Sequence, residues 1–307
     1  MRTLIKYENI DICQQELIVL KNIDLEVNSG EFIFLLGKVG SGKSSLLKSF
    51  YCEVPVTGDS AKVFSYDLRK IKNSDIPFLR RKFGIVFQDF QLLTDRTVHE
   101  NLEFVLGATG WKDKMAINAQ IDNVLQQVGM ATKSYKMPHQ LSGGEQQRIV
   151  IARSLLNSPE VILADEPTGN LDPETANGLV ELLYQISLAG TTVIMATHNL
   201  GWLDKYNARI IRCENEKLIE TTPAVIPAVA APETETEDIN LQTSNEMEKA
   251  TEKDFEAERA AKEEKEIEKQ AGEEIADEIQ GEGFNPFESD DDDEFKSDEE
   301  IEGLLSN

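Results

Sequence analysis

Apolar and polar positions along this chain switch between two periods, and the switches mark out its elements. Residues 3–10 alternate apolar with polar, and residues 19–27 do so again. This predicts two strands with one buried face each, joined by the segment CQQEL. A turn at Asn28, Ser29 and Gly30 leads into Phe32-Ile33-Phe34-Leu35-Leu36, an unbroken apolar run of the kind buried on both faces. Further runs at 83–87, 160–164, 192–196 and 209–213 also read as strands. Helical spacing appears from Lys43 onward and over 97–106, 113–128, 143–157 and 173–187. The last of these has Asp172 as N-cap and Pro173 at the first helical position. Its Leu179, Leu182, Leu183 and Ile186 share one face and read as core packing. Buried strands alternating with helices predict an α/β domain with a mostly parallel core sheet, preceded by an N-terminal antiparallel β part. The helix-dominated stretch 100–139 reads as an inserted lobe, extended to about residue 157 by the following helix.

The periodic pattern stops near residue 220, and the charge changes there too. Residues 221–307 carry 29 acidic and 7 basic side chains, almost the whole of the chain's net charge of −25. The first 220 residues are near neutral and hold most of the Leu, Ile, Val and Phe, enough for a substantial single core. The expected organisation is a globular domain over 1–220 and an acidic tail over 221–307. Pro223, Pro227 and Pro232 mark a linker, and the Glu/Lys-rich stretch over about 248–279 has i,i+4 pairs able to support a solvated helix. The tail has too little apolar surface to offset ordering, so most of it is expected to be disordered. Two readings of the tail stay open: a solvating appendage, or recruitment, with Phe284, Phe287 and Phe295 as apolar anchors among acids for docking on a further, basic protein partner.

Cys13, Cys52 and Cys213 form no CxxC pair, which argues against a disulfide framework or a zinc site. No run approaches the ~20 apolar residues that cross a bilayer, and the N-terminus lacks a signal-peptide pattern. A cytoplasmic chain is expected, with no direct membrane insertion. No basic patch suggests nucleic-acid binding.

Three motifs carry chemistry. GKVGSGKS at residues 37–44 follows a buried strand and opens a helix, the context a phosphate-binding loop requires. Gly37, Gly40 and Gly42 allow the backbone to curl, and the N–H groups of Lys38, Val39, Ser41 and Ser45 are candidates to face phosphate oxygens. Lys43 would neutralise β- and γ-phosphate charge, and the Ser44 hydroxyl would ligate Mg²⁺. VILADEP at 161–167 is an apolar strand ending in Asp165 and Glu166. Asp165 lies where open α/β sheets bind ligands and is a candidate Mg²⁺ ligand. Glu166, expected to point to the other side of the chain, is the candidate general base for an attacking water. LSGGEQQR at 141–148 puts Ser142, Gly143 and Gly144 at a helix start, a second anion site in the same chain. One nucleotide cannot use both helix ends of one compact domain, so a head-to-tail homodimer is expected. In it, this loop closes over the γ-phosphate held by the second copy. A glycine turn, acidic strand ends or a Ser-capped helix would explain each motif alone, but not their order together.

On these residues the chain resembles the ABC ATPases, whose signature is the LSGGEQQR segment. The resemblance implies ATP and Mg²⁺ as ligands and assigns further positions. Gln88 in FGIVFQDF is similar to the glutamine loop, implying contact with Mg²⁺ and water and a sensing role towards a membrane partner. GNLD, ending in Asp172, is similar to the loop linking the two sites across the dimer. His198 in MATHN is similar to the switch histidine at the γ-phosphate. His99 and His139 receive no such role. Over 76–102 the sequence resembles the FtsE family, the ATPases of bacterial FtsEX division complexes. That implies an FtsX-like integral membrane partner, a peripheral position on the inner face of the cell membrane and coupling of ATP turnover to cell-wall remodelling. The alternative is a MacB-like or lipoprotein-release exporter ATPase, which shares QLSGGEQQR and LADEPTGNLD. A soluble ABC protein of translation or repair and a nucleotide-gated scaffold without turnover fit less well. One departure is plain: Cys13 or Gln14 stands where the family has an aromatic residue for adenine, and neither Gln15 nor Glu16 is aromatic.

Overall fold

Alternate residues of the central strands belong to two different cores, and this explains why their sequences are apolar throughout. In the computed structural model, which describes residues 2–14 and 17–221, ten strands form two sheets. Strands β1 (Thr3–Gln14), β2 (Leu17–Asn28), β4 (Val56–Val63) and β5 (Tyr66–Asp67) make an antiparallel sheet in the order β2-β1-β4-β5. Strands β3 (Phe32–Leu36), β6 (Phe83–Val86), β7 (Val161–Asp165), β8 (Thr192–Thr197), β9 (Arg209–Glu214) and β10 (Lys217–Thr221) make the second, in the order β10-β9-β3-β8-β7-β6. All its pairs are parallel except β9 with β10.

Phe32, Phe34, Leu36, Ile162, Ala164, Val193 and Met195 face one cluster. Ile33, Leu35, Val161, Leu163, Ile194 and Ala196 face the other. The period-2 alternation of a strand thus sends successive residues to opposite layers. The first layer contains residues of α3 (Val98–Ala108), α4 (Lys114–Gln127), α5 (Gly143–Leu155) and α6 (Pro173–Leu188). The second contains the antiparallel sheet and α1 (Lys43–Phe50), with a short helix α2 (Ile76–Arg80) contributing Leu79. Phe34 is fully buried; truncating such a residue to Ala costs about 3–5 kcal/mol.

The expected fold class is found: an ABC-type α/β domain with a mostly parallel sheet, an antiparallel β part and a helical lobe. The lobe helices share a continuous core with the sheet. Strands β4, β5 and β10 and helix α2 have no counterpart in the sequence pattern. In β4 only Ala61 and Val63 are buried, and Gly58 and Asp59 interrupt the alternation. Gly58 sits at φ +127°, and a Cβ there would collide with the Asn9 carbonyl. Five-residue α2, with Pro77 in its first turn, is too short to show a helical period.

The chain divides into two units, Met1–Val229 and Ala230–Asn307, and every described residue lies in the first. The expected linker, the charged helix over about 248–279 and the anchors Phe284, Phe287 and Phe295 lie outside the described residues, as do Gln15 and Glu16.

Candidate functional site

The candidate site gathers at the carboxyl ends of β3, β7 and β8, from each of which the chain turns out of the sheet. After β3 the loop 37–42 curls into α1. Gly42, the N-cap, lies at φ +96°, a conformation that favours glycine, and a Cβ there would press to 3.0 Å from Val19 and Leu20. No side chain caps α1 and no acid lies in its first turn. Its first N–H groups and positive dipole end are left for an anion. Lys43 is buried and donates to the Gly37 carbonyl at 2.8 Å and the Lys38 carbonyl at 3.2 Å. Its ammonium lies 3.5 Å from Glu166 Oε1. Gly40 is also left-handed, at φ +80°, and Val39 at the loop tip is 92% exposed. A hollow of about 410 Å³ opens beside the loop, lined by Gly37, Lys38, Ser41, His198 and Cys213 among others.

Asp165 closes β7. Burial pushes its carboxyl above the ordinary range and the neighbouring Glu166 charge adds to this, while the Ser44 hydroxyl against it acts in the opposite sense. One oxygen, Oδ1, is buried without a hydrogen-bond partner. An unpartnered carboxylate oxygen beside a hydroxyl is a donor set that suits a hard divalent cation. Ser44 and Asp165 therefore fit Mg²⁺.

Glu166 corrects an expectation. Strand alternation would turn it away from Asp165, but Glu166 adopts φ +47°, outside the strand region. That left-handed residue turns its carboxylate back to the loop. Its N–H donates to the Ala196 carbonyl at 3.0 Å, tying it to β8. Its Oε2 lies 3.0 Å from Nδ1 of His198, just past the end of β8. Lys43, Ser44, Asp165, Glu166 and His198 thus form one linked group.

Gln88 stands apart from that group. Its carbonyl accepts from Asn170 Nδ2 at 3.4 Å, and its amide lies against Gly169, where a Cβ would come within 3.1 Å of Nε2. No hydrogen bond joins its side chain to Ser44 or Asp165 among the described residues. Ser142 also lies elsewhere. It caps α5, accepting from the Glu145 N–H at 3.2 Å, while its own N–H donates to Glu145 Oε2 at 2.9 Å, a reciprocal capping box. The Ser142 N–H, and then Lys133, hold the Glu145 carboxyl below the ordinary range. Ser142, Gly144 and Thr175 line a separate hollow of about 440 Å³, and a Cβ on Gly144 would collide with Thr175. Gly143 packs near Leu171 and Phe90. Asp172 caps α6, accepting from the Glu174 and Thr175 N–H groups at 3.1 and 3.0 Å.

At the expected aromatic position, Gln14 Oε1 accepts from the Ser45 hydroxyl at 3.4 Å, so an amide overlooks the first turn of α1. Cys213 is buried against the loop with its thiol pushed up to about 12 by burial, and is chemically quiet. Sequence reasoning missed Gln147, which is fully buried on α5. The signal was available: a polar residue in the stripe formed by Gly144, Ile151 and Leu155.

The profile of the ABC transporter family matches residues 20–169. The chain is 42% identical over 200 residues to the cell division ATP-binding protein FtsE of Streptococcus pneumoniae strain D39, spanning 65% of this chain and 86% of that protein. It is 44% identical over 196 residues to the FtsE of Bacillus subtilis strain 168, spanning 64% and 86%. Among solved structures, it superposes on the ATP-binding cassette MJ0796, described as dimeric, in a post-hydrolysis state and bound to ADP and Pi. The TM-score is 0.63 at 30% identity, covering 71% of this chain and 98% of that one. It also superposes on cbiO1 of Clostridium perfringens, part of the ABC transporter complex cbiONQ, with TM-score 0.67 at 28% identity, covering 73% and 90%. Fold, phosphate-binding loop and acidic strand end define an ABC-type ATPase, an ATP-hydrolysing enzyme. Within that class the chain belongs to the FtsE family.

Proposed function

We propose that this chain is the ATP-hydrolysing subunit of an FtsEX-like division complex, acting as a homodimer beneath an FtsX-like membrane protein. The observation that carries the chemistry is the convergence of Lys43, Asp165, Glu166 and His198 on the loop before α1. Ser44 and Asp165 would hold Mg²⁺, which, when bound, neutralises phosphate charge. Lys43 exchanges the Gly37 and Lys38 carbonyls and Glu166 for β- and γ-phosphate oxygens. Glu166 accepts a proton from the attacking water, whose oxygen bonds to the γ-phosphorus as the bridging bond to ADP breaks. His198 orients Glu166 and reaches the γ-phosphate. The separation of Ser142 from Lys43 in one chain supports the head-to-tail dimer, in which Ser142, Gly143 and Gly144 of a second copy cover the γ-phosphate and Asp172 lies at the junction.

Gln88 then serves as a relay. Beside its loop a groove of about 520 Å³ is lined by Phe83, Ile85 and Phe87 and by Arg80, Arg81 and Arg153. An apolar floor with three guanidiniums suits a cytoplasmic segment bearing aliphatic and acidic side chains, and the FtsX-like partner is its proposed occupant. Among the described residues no helix is long and apolar enough to cross a membrane, so attachment to the inner face would come from that partner. The identities to FtsE proteins support cell division as the process, with ATP turnover coupled to cell-wall remodelling.

The test is purification of the intact complex from native membranes. A polytopic FtsX-like protein in stoichiometric amount is expected, and a MacB-like permease with a periplasmic adaptor would replace this reading with export. The acidic tail is proposed to recruit a further protein. Ending the chain at Pro223, beyond β10, should leave turnover intact and impair only localisation or division. Normal division by that truncation would remove the recruitment role.

A further inference from the structure

Four side-chain hydrogen bonds hold the backbone around Gln88, and three come from α5. Gln147 Nε2 donates to the Phe87 carbonyl at 3.2 Å. Arg153 donates to the Gln91 carbonyl at 2.6 Å and the Phe90 carbonyl at 3.1 Å. From the opposite side Asn170 reaches the Gln88 carbonyl. Gln147 has no exposed surface, and its Oε1 is buried without a partner. An unpaired buried amide oxygen is unfavourable, and an apolar side chain of similar shape would avoid it. Burial also lowers the Arg153 pKa from its ordinary value.

We infer that Gln147, seconded by Arg153, is a positioning residue: it fixes the 87–91 backbone to the helix that begins at Ser142, and so sets where Gln88 stands during turnover. Its donor half makes the connection, and its unpartnered half is the penalty accepted for it. Because α5 is one continuous helix from Gly143 to Leu155, a displacement of the 87–91 loop is passed to Ser142 as a rigid-body movement. The groove lined by Phe87, Gln91 and Arg153 lies on that same loop. This inference rests on the proposed role of Gln88 and adds the residue through which that role acts.

The test is a double-mutant cycle in the full-length chain, with steady-state turnover of Mg-ATP as readout. Gln147→Met keeps shape and removes the donor; it should lower kcat about tenfold, the equivalent of one lost hydrogen bond, with KM for ATP within about twofold. Gln147→Glu, which turns an acceptor towards the Phe87 carbonyl, should lose more. In a Gln88→Ala background, Gln147→Met should cost nothing further, because a residue acting through Gln88 has nothing left to position. If Gln147→Met fails to fold, Arg153→Gln takes its place in the cycle. An unchanged kcat in Gln147→Met, or losses that simply multiply, overturns this inference alone. An unchanged kcat in Gln88→Ala overturns it together with the relay role of Gln88.

Discussion

The amino ends of α1 and α5 both carry glycines, one before its helix and the other within its first turn, yet they are built in opposite ways. At α1 the cap is a left-handed glycine without a side chain, and no acid lies in the first turn. Its N–H groups and dipole end are unopposed. At α5 the same kind of end is satisfied within the chain: Ser142 and Glu145 exchange hydrogen bonds, and Glu145 puts a carboxylate where an anion would approach. A phosphate can settle on α1 at once, whereas on α5 it has to displace an existing cap and meet a negative charge. An end left open suits tight phosphate binding within one chain. An end closed on itself suits a contact made only when a second copy supplies the phosphate and taken apart again after hydrolysis.

The largest test of this asymmetry is at the open end. Glu166→Gln should keep ATP binding while slowing hydrolysis by roughly 10²–10⁴-fold, the usual worth of a general base. It should also accumulate an ATP-dependent dimer, seen by size exclusion, because α5 is never released from the phosphate. Undiminished hydrolysis removes Glu166 from the mechanism.

Next comes the closed end. Ser142→Asp preserves an N-cap acceptor, so the melting temperature should stay close to that of the parent. It also points a charge at any incoming phosphate, and turnover should fall on the order of 100-fold while monomer affinity for ATP is kept. A fall in ATP affinity of the monomer would mean that α5 serves the nucleotide of its own chain.

A third test asks what anchors the nucleotide beyond α1. Gln14 offers an amide, and stacking of a base on an aromatic ring is worth ~1–3 kcal/mol in nucleic-acid sites. Gln14→Tyr should therefore tighten ATP binding about tenfold, at about 1.4 kcal/mol per tenfold. It should also sharpen preference for ATP over GTP. No gain, measured by calorimetry, would place base recognition elsewhere.

How far could these two ends be read from sequence? The strand–loop–helix context of residues 32–50 was legible because each piece had its own signal: an apolar run, glycines at fixed spacing, then a new period. Twelve strands and helices followed from periodicity with ends shifted by a few residues. Strand β4 did not, because its only firm signal is two buried residues beside a glycine that tertiary contact with Asn9 explains. At the site, the sequence offered Lys43, Ser44, Asp165, Glu166 and His198 as candidates, which lie together, but the direction of Glu166 was not legible, since a left-handed φ at one residue overrides strand alternation. The Gln147 link was hidden for another reason. Its partner is a backbone carbonyl 60 residues away, and backbone groups leave no mark in sequence.

The charge at Asp165 provides a smaller effect, on stability. Burial raises its folded pKa above the unfolded value, so its contribution to stability is present below the unfolded pKa and lost as pH rises through the folded one. At pH 7 the buried carboxylate therefore weakens the domain. Asp165→Asn, melted in the presence of chelator at pH 7, should gain about 2–4 °C, the shift that ~1 kcal/mol produces at this size. The gain should vanish as pH falls below the ordinary carboxylate range, and activity should be lost throughout. A lower melting temperature for the variant at pH 7 would show that this carboxylate is satisfied without a cation.

The smallest expected effect bears most directly on why α5 is closed. Glu145 has a folded pKa below the unfolded one, so its contribution to stability is present above the unfolded pKa and lost as pH falls through the folded one. Replacing it with Gln keeps an oxygen for the Ser142 N–H but removes the charge at the helix end and its pairing with Lys133. Such a charge near a helix start is worth about 0.3–1 kcal/mol. Glu145→Gln should thus melt slightly below the parent at pH 7, and the gap should close as pH falls through the parent's folded pKa and its carboxylate takes up a proton. In turnover the same change should act in the opposite direction. An incoming phosphate no longer meets a like charge, so ATP-driven dimerisation should strengthen by a factor of roughly 2–5, the equivalent of that same energy. The two shifts must come with opposite signs. If dimerisation weakens along with stability, Glu145 serves α5 only as a cap, and self-closure of this end has no part in releasing the second copy.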